Sequence, residues 1–299
     1  LKTIEAHAFS SNYNLKYVSS KNNQIEEIGD CAFLYTNIEE FEMTETLHKI
    51  GKYAFNSTNL KEIIIPENVS EIGEFAFSEC LNVKSFSYNA INCQYDGFNF
   101  EKFSVKPVLG SNNNVEKIKI GSKVKKVPSG FFWNCTKVTD LELEEGLEEI
   151  GDLSFVNLSI QELTLPESLK KIGMWAFRGC NDIETLYYNS IHCSTEGIFN
   201  EEEDSSYYPF QSTVNDDLSQ CYTIDKIIIG AKVEYLDSDI FRKCKITTIT
   251  IPSSVKYIAY EGGNNQSSLE DSTFYNCTFL KEIIVKQPEN SLAGAPWSN

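Results

Sequence analysis

Three histidines in 299 residues leave little material for acid–base or metal chemistry. His7 and His48 stand in unrelated stretches and His192 sits beside Cys193, so each reads as a surface or packing residue. No glycine-rich phosphate loop, Cys-x-x-Cys pair or nucleophile elbow occurs in the chain. No catalytic residue, metal ligand set or cofactor is therefore expected, and the chain reads as a non-enzyme. Cations are also scarce: 26 Lys and Arg face 43 Asp and Glu, for a net charge of −17. Phosphates are held mainly by Lys and Arg, so nucleic acid and an anionic membrane surface are disfavoured partners. No apolar run approaches the roughly 20 residues of a spanning helix, which argues against membrane insertion by a helix.

What the chain does have is a repeat. In Leu60–Cys80, the residues Leu60, Ile63 and Ile65 have the spacing of a short strand with one inward face, and Pro66 ends it. Val69, Ile72, Ala76, Phe77 and Cys80 follow at gaps of three, four, one and three. That spacing suits neither a long helix nor a strand, but it suits a turn-rich arc with all its apolar side chains pointing to one interior. Copies are marked by an Ile-Gly step and the phenylalanine after it: Ile28-Gly29 to Phe33, Ile50-Gly51 to Phe55, Ile72-Gly73 to Phe77, Ile150-Gly151 to Phe155 and Ile172-Gly173 to Phe177. Ile4 to Phe9, Val127 to Phe132, Leu236 to Phe241 and Ile258 to Phe274 are looser versions. Ile50 and Ile72 lie 22 residues apart, as do Ile150 and Ile172, a period that signals a leucine-rich-repeat solenoid. One such turn cannot enclose a core, so each must lay its apolar edge on the next.

The expected fold is an α/β leucine-rich-repeat solenoid with about eleven strands. Its parallel sheet would line the concave side, and turns and short helical segments the convex side. Residues 1–286 read as one continuous array, and 287–299 as an end piece or linker stub. A block recurs, 50–127 as 150–236: Ile50, Pro66, Phe77, Tyr88 and Cys93 return 100 positions later as Ile150, Pro166, Phe177, Tyr188 and Cys193. Residues 89–114 and 189–223 read as two irregular inserted turns, and 260–272 as a third interruption. The second insertion carries the acidic run Glu201–Asp204, which lacks the alternating ligands and turn glycine of a calcium loop.

Cys80, Cys135, Cys180, Cys244 and Cys277 each fall three places after a spine phenylalanine, a slot filled elsewhere by Asn12, Thr36, Thr58 and Leu158. The slot asks for a small or medium side chain, so these five are expected to be buried free thiols. Cys193 and Cys221 bracket the second insertion and leave a disulfide open between them.

The frame I-G-x-x-A-F-x-x-C-x-x-L-x-x-I-x-I-P, carried by Leu60–Cys80 and again by Ile160–Cys180, resembles the BspA-like leucine-rich-repeat family of mostly bacterial surface proteins. The resemblance covers nearly the whole chain. It implies an exported protein, extracellular or at the cell surface, in a family linked to adhesion, and it brings no catalytic motif.

Strand residues alternate, so an inward Ile63 and Ile65 turn Glu62 and Ile64 outward. Applied to every turn, the rule makes Glu40, Glu42, Glu62, Ile64, Lys117, Lys119, Asp140, Glu142, Glu162, Thr164, Tyr187 and Ile228 the candidate partner-binding residues, with two acidic patches flanking a lysine stripe. Ile64, Tyr187 and Ile228 are the apolar residues that a protein-binding patch needs. A protein partner is expected. A glycan stacked on Tyr187, Tyr207 and Tyr208, or a spacer role with no partner, are the other readings. The plain alternative is that these residues merely suit an exposed strand.

Overall fold

A computed structural model of the chain describes residues 1–19, 24–99, 104–110, 113–195, 199–200, 205–206, 209–210, 224–237, 240–258, 273–274 and 277–286. The chain divides into two compact units, Leu1–Leu158 and Ser159–Asn299. Each is a parallel β-solenoid.

In the first unit four strands of four residues, β1 Glu62–Ile65, β2 Ser85–Tyr88, β3 Lys117–Ile120 and β4 Asp140–Leu143, pair in parallel in the order β4-β3-β2-β1. Register is unbroken: Ile63 lies beside Phe86, Phe86 beside Ile118 and Ile118 beside Leu141. A second parallel sheet is made of two-residue strands, Thr3–Ile4, Glu27–Ile28, Lys49–Ile50, Glu71–Ile72 and Gln94–Tyr95, each ending in the residue that fills the isoleucine place. In the second unit β5 Glu162–Leu165, β6 Thr185–Tyr188 and β7 Lys226–Ile229 pair in parallel, as do β8 Thr248–Ile251 and β9 Glu282–Val285. These are nine four-residue strands among the described residues, against the eleven or so expected; at the head of the series Tyr17 and Glu40 make a lone parallel bridge instead.

Between the sheets runs the aromatic spine. Phe9, Phe33, Phe55 and Phe77 stack nearly parallel at 5.3, 5.1 and 5.3 Å. Phe132 and Phe155 stack in the same way at 5.7 Å. Phe177 on Phe210, and Phe241 on Phe274, do so in the second unit.

The expected short helical segments are not found: the described residues contain no helix, and the return segments are runs of turns. The reason lies in where the amides go. The Ala32 N–H donates three residues back to Gly29, but the Phe33 N–H donates to the Ala54 carbonyl of the next turn. Leu34 then bonds back to Cys31, and Tyr35 forward to Asn56. Every second amide is thus spent on the neighbouring turn, so the i→i−4 bonds of an α-helix do not form. Reaching both directions needs left-handed residues, and Cys31 and Tyr35 sit at φ 55° and 58°. Tyr53 and Ser57 repeat this one turn on, at 53° and 57°. The strain, about 1 kcal/mol at each such residue, is offset by the shared ladder.

The Ile-Gly step has a separate cause. A Cβ on Gly51 would lie 2.5 Å from the Asp30 backbone nitrogen, and one on Gly73 2.5 Å from that of Lys52. The turns pack backbone to backbone there, and only glycine fits.

The first insertion is a repeat turn with a nine-residue excursion. Gln94–Tyr95 still pairs with Glu71–Ile72. The chain then leaves as an antiparallel pair, Phe98–Asn99 with Ser104–Val105, and returns at Val108, which accepts from the Phe77 N–H and donates to Phe131. Leu109, fully buried, follows at the spine position. The second insertion repeats the plan: Ser194–Thr195 pairs with Lys171–Ile172, Phe199–Asn200 pairs antiparallel with Ser205–Ser206, and Phe177 donates to Pro209. Glu201–Asp204, Tyr207, Tyr208, Cys221, the stretch 260–272 and the tail 287–299 lie outside the described residues.

Candidate interaction surface

Inward and outward positions separate cleanly on β1: Ile63 and Ile65 are buried, whereas Glu62 is exposed and Ile64 is 51% exposed. Two outward rows therefore cross the first unit. Glu62, Ser85, Lys117 and Asp140 form one, and Ile64, Ser87, Lys119 and Glu142 the other. The rows extend past β1. The Lys61 N–H donates to the Glu39 carbonyl and Phe41 packs inward on Phe33 and Phe55, which sets Glu40 beside Glu62 and Glu42 beside Ile64. Tyr17, bridged to Glu40 and 67% exposed, heads the first row. Sequence reading missed it because its own turn is irregular; its placement two residues after Leu15 was the available signal.

The lysine stripe is not a free cationic surface. Lys117 pairs with Asp140 at 2.9 Å and with Glu142, and Lys119 pairs with Glu142 at 3.4 Å and Glu144 at 2.5 Å. Glu142, then Asp140, raise the Lys117 ammonium above its usual value, and Lys117 holds the Glu142 carboxyl low in return. This half of the face is internally neutralised. The other half is not. Glu40, Glu42 and Glu62 make no ion pair with any described residue, and Glu62 accepts from the Ser85 hydroxyl at 3.1 Å. The two lysines nearby, Lys61 and Lys16, both act on Glu39, the former bonded to it at 2.8 Å, and Lys61 also feels the charge of Glu40 without an ion pair to it.

In the second unit Glu162, Thr185 and Lys226 form one outward row and Thr164, Tyr187 and Ile228 the other. Glu162 and Thr164 are exposed, but Tyr187 and Ile228 are half-buried rather than open. They lie side by side on strands about 4.8 Å apart.

No group of three or more His, Cys, Asp or Glu side chains that could hold a metal ion appears among the described residues. A cavity of about 400 Å³ at the first turn is lined by Phe9, Ser11, Asn12, Tyr13, Asn14 and Leu15, none an acid, base or thiol at neutral pH. His48 and His192 sit at the surface beside Glu27 and Glu234. The five slot cysteines are buried thiols, as expected from the repeat. Cys80 shows why the slot is shared with threonine: its thiol donates to the Phe55 carbonyl at 3.0 Å and meets the Thr58 hydroxyl at 3.2 Å. Burial pushes the Cys80 thiol up to about 11 and that of Cys135 to about 12, so neither is a nucleophile. Cys193 is likewise a buried free thiol. The chain carries six Asn-x-Ser/Thr sequons, at Asn56, Asn68, Asn134, Asn157, Asn265 and Asn276; Asn56 is buried, the Asn68 side-chain amide donates to the Glu45 backbone carbonyl at 2.7 Å, and that of Asn157 donates to the Asn134 side-chain oxygen at 2.9 Å.

A model of the BspA type leucine-rich repeat region matches residues 1–104, 109–216 and 210–269, in six copies. Among solved structures, a leucine-rich repeat protein from Bacteroides ovatus aligns with a TM-score of 0.55 at 20% identity, over 95% of this chain and 72% of that one. A leucine rich cell surface protein from Faecalibacterium prausnitzii aligns over 97% of this chain and 84% of its own, with 18% identity and a TM-score of 0.41. Among curated proteins no match was found.

Proposed function

Because the chain belongs to the BspA-type leucine-rich-repeat family, whose repeats build scaffold rather than reaction centres, we propose that it is a non-catalytic binding module. It is exported, stands outside the cell or at its surface, and takes a partner protein on the outward face of its parallel sheets, with the inserted turns alongside. The observation that carries this reading is Ile64, an aliphatic side chain 51% exposed on the end strand of the four-stranded sheet, between two inward residues, Ile63 and Ile65, that are all but fully buried. Four strands of four residues cover about 19 by 13 Å, or about 250 Å². A standard interface needs about 800 Å² on each side, so the face works together with what flanks it, not alone.

The test is binding of the whole chain to a panel of immobilised extracellular-matrix proteins, compared with the double variant Ile64→Glu and Tyr187→Glu. Binding should fall at least tenfold while the circular-dichroism melt stays in place. Wild-type protein that binds no member of the panel, or a double variant that binds as well as wild type, overturns the reading; the former result is the one a bare spacer would give.

A further inference from the structure

We infer that the partner segment docking on the first unit is extended and cationic, with an apolar side chain among its basic residues. This rests on the reading that the outward sheet face is the binding surface. The carrying observation is the asymmetry of that face. Around β3 and β4 every outward charge has an opposite charge bonded to it, so a ligand there must break ion pairs before it makes any. Around β1, Glu40, Glu42 and Glu62 present three carboxylates with no ion-paired cation, and they surround the two most open apolar side chains of the rows, Tyr17 and Ile64.

Spacing sets the form of the segment. Glu40 and Glu42 stand two residues apart on one chain, about 6.6 Å, which is the separation of same-face side chains in an extended peptide. Two basic residues at positions i and i+2 reach both carboxylates, and the neighbouring Glu62 sits about 4.8 Å to the side. Tyr17 offers a ring face to a guanidinium or ammonium, and Ile64 an aliphatic contact. An acidic segment is repelled here, and a purely apolar one leaves three carboxylates desolvated and unanswered.

The probe is a labelled eight-residue peptide, Lys-Ser-Lys-Ser-Leu-Ser-Lys-Ser, which places its lysines and its leucine on one face when extended, with a serine-for-lysine and a glutamate-for-lysine version, measured by fluorescence anisotropy against the whole chain. The lysine version should bind at least tenfold more tightly than either control. The triple variant Glu40→Gln, Glu42→Gln and Glu62→Gln should lose at least tenfold. A triple of equal charge change elsewhere, Glu5→Gln, Glu145→Gln and Glu184→Gln, should lose less than twofold, and Ile64→Ser should lose about threefold. Equal losses in the two triples would mean that the net charge alone attracts the peptide, and the inference falls. It falls alone, with the sheet-face reading intact, if matrix-protein binding depends on Ile64 and Tyr187 but the lysine peptide neither binds nor competes.

Discussion

Truncating one spine ring tests whether stacked turns hold the first unit together. Phe55 has no exposed surface and touches three rings: Phe33 at 5.1 Å, Phe77 at 5.3 Å and Phe41 edge-on at 5.0 Å. Its replacement by alanine removes a fully buried aromatic between two turns that cannot close the gap without breaking their shared amide ladder. The expected cost is about 4 kcal/mol, in the range of interior Phe→Ala changes. Phe9 is the same residue at the same slot, but it is 37% exposed and stacks on Phe33 alone. Phe9→Ala forfeits a single ring contact, worth about 1 kcal/mol, and part of a transfer term, for about 1.5 kcal/mol in all. The two variants should therefore differ by about 2.5 kcal/mol, read from urea midpoints at constant slope. Hydrogen exchange should quicken at the Phe33 and Phe55 amides, which donate to Ala54 and Ala76 across the turns. Should Phe55→Ala cost no more than Phe9→Ala, the rings are filler and the nearest-neighbour account of this fold is wrong.

Gly51→Ala should be more damaging than its size suggests, by about 3 kcal/mol, because the new methyl meets backbone atoms of Asp30 and Gly29 that have no side-chain freedom; a urea midpoint within error of wild type would show that the turns are not in close contact. Thiol labelling gives an independent reading of the core. With thiols raised to about 11 and 12, Cys80 and Cys135 carry a thiolate fraction near 10⁻³ and 10⁻⁴ at pH 8. Partly exposed Cys31 should react with a disulfide reagent first, and those two only at the rate of unfolding; prompt labelling of Cys80 in native protein would contradict its burial.

The interior was legible because its demands are few and repeated. Val69, Ile72, Ala76, Phe77 and Cys80 all bury, as their irregular spacing requires of an arc with one interior. The path of the return segment was not legible. Left-handed conformations at Cys31, Tyr35, Tyr53 and Ser57 carry no residue signature, since the ladder to the next turn, not a glycine, enforces them. The insertions misled for a related reason. Val108 and Leu109 occupy the Ala-Phe place of the repeat, but the excursion before them hides the period. On the sheet, alternation told which residues face out; the pairing of Lys117 with Asp140 and of Lys119 with Glu142 depends on register between turns, which the period alone does not give.

The duplication allows the inward and outward positions of the two units to be compared one for one. Inward, Ile63, Ile65, Phe86 and Tyr88 become Leu163, Leu165, Leu186 and Tyr188, and every exchange keeps an apolar or aromatic body of similar reach. Outward, the row of Glu62, Ser85 and Lys117 keeps its chemistry as Glu162, Thr185 and Lys226, whereas in the other row Ile64, Ser87 and Lys119 become Thr164, Tyr187 and Ile228, and each changes class. Packing restrains the first set, because a lost or added methylene in a close-packed interior costs on the order of 1 kcal/mol. Nothing in the fold restrains the second beyond β-propensity and solubility. In that row the second unit is accordingly a different chemical surface, with a half-buried tyrosine and isoleucine side by side where the first unit has an exposed isoleucine among carboxylates that make no ion pair with a described residue. Of the three carboxylates on the first face only Glu62 has a counterpart in the second unit, Glu162, so the two faces must be assayed as separate sites even though one repeat built them both.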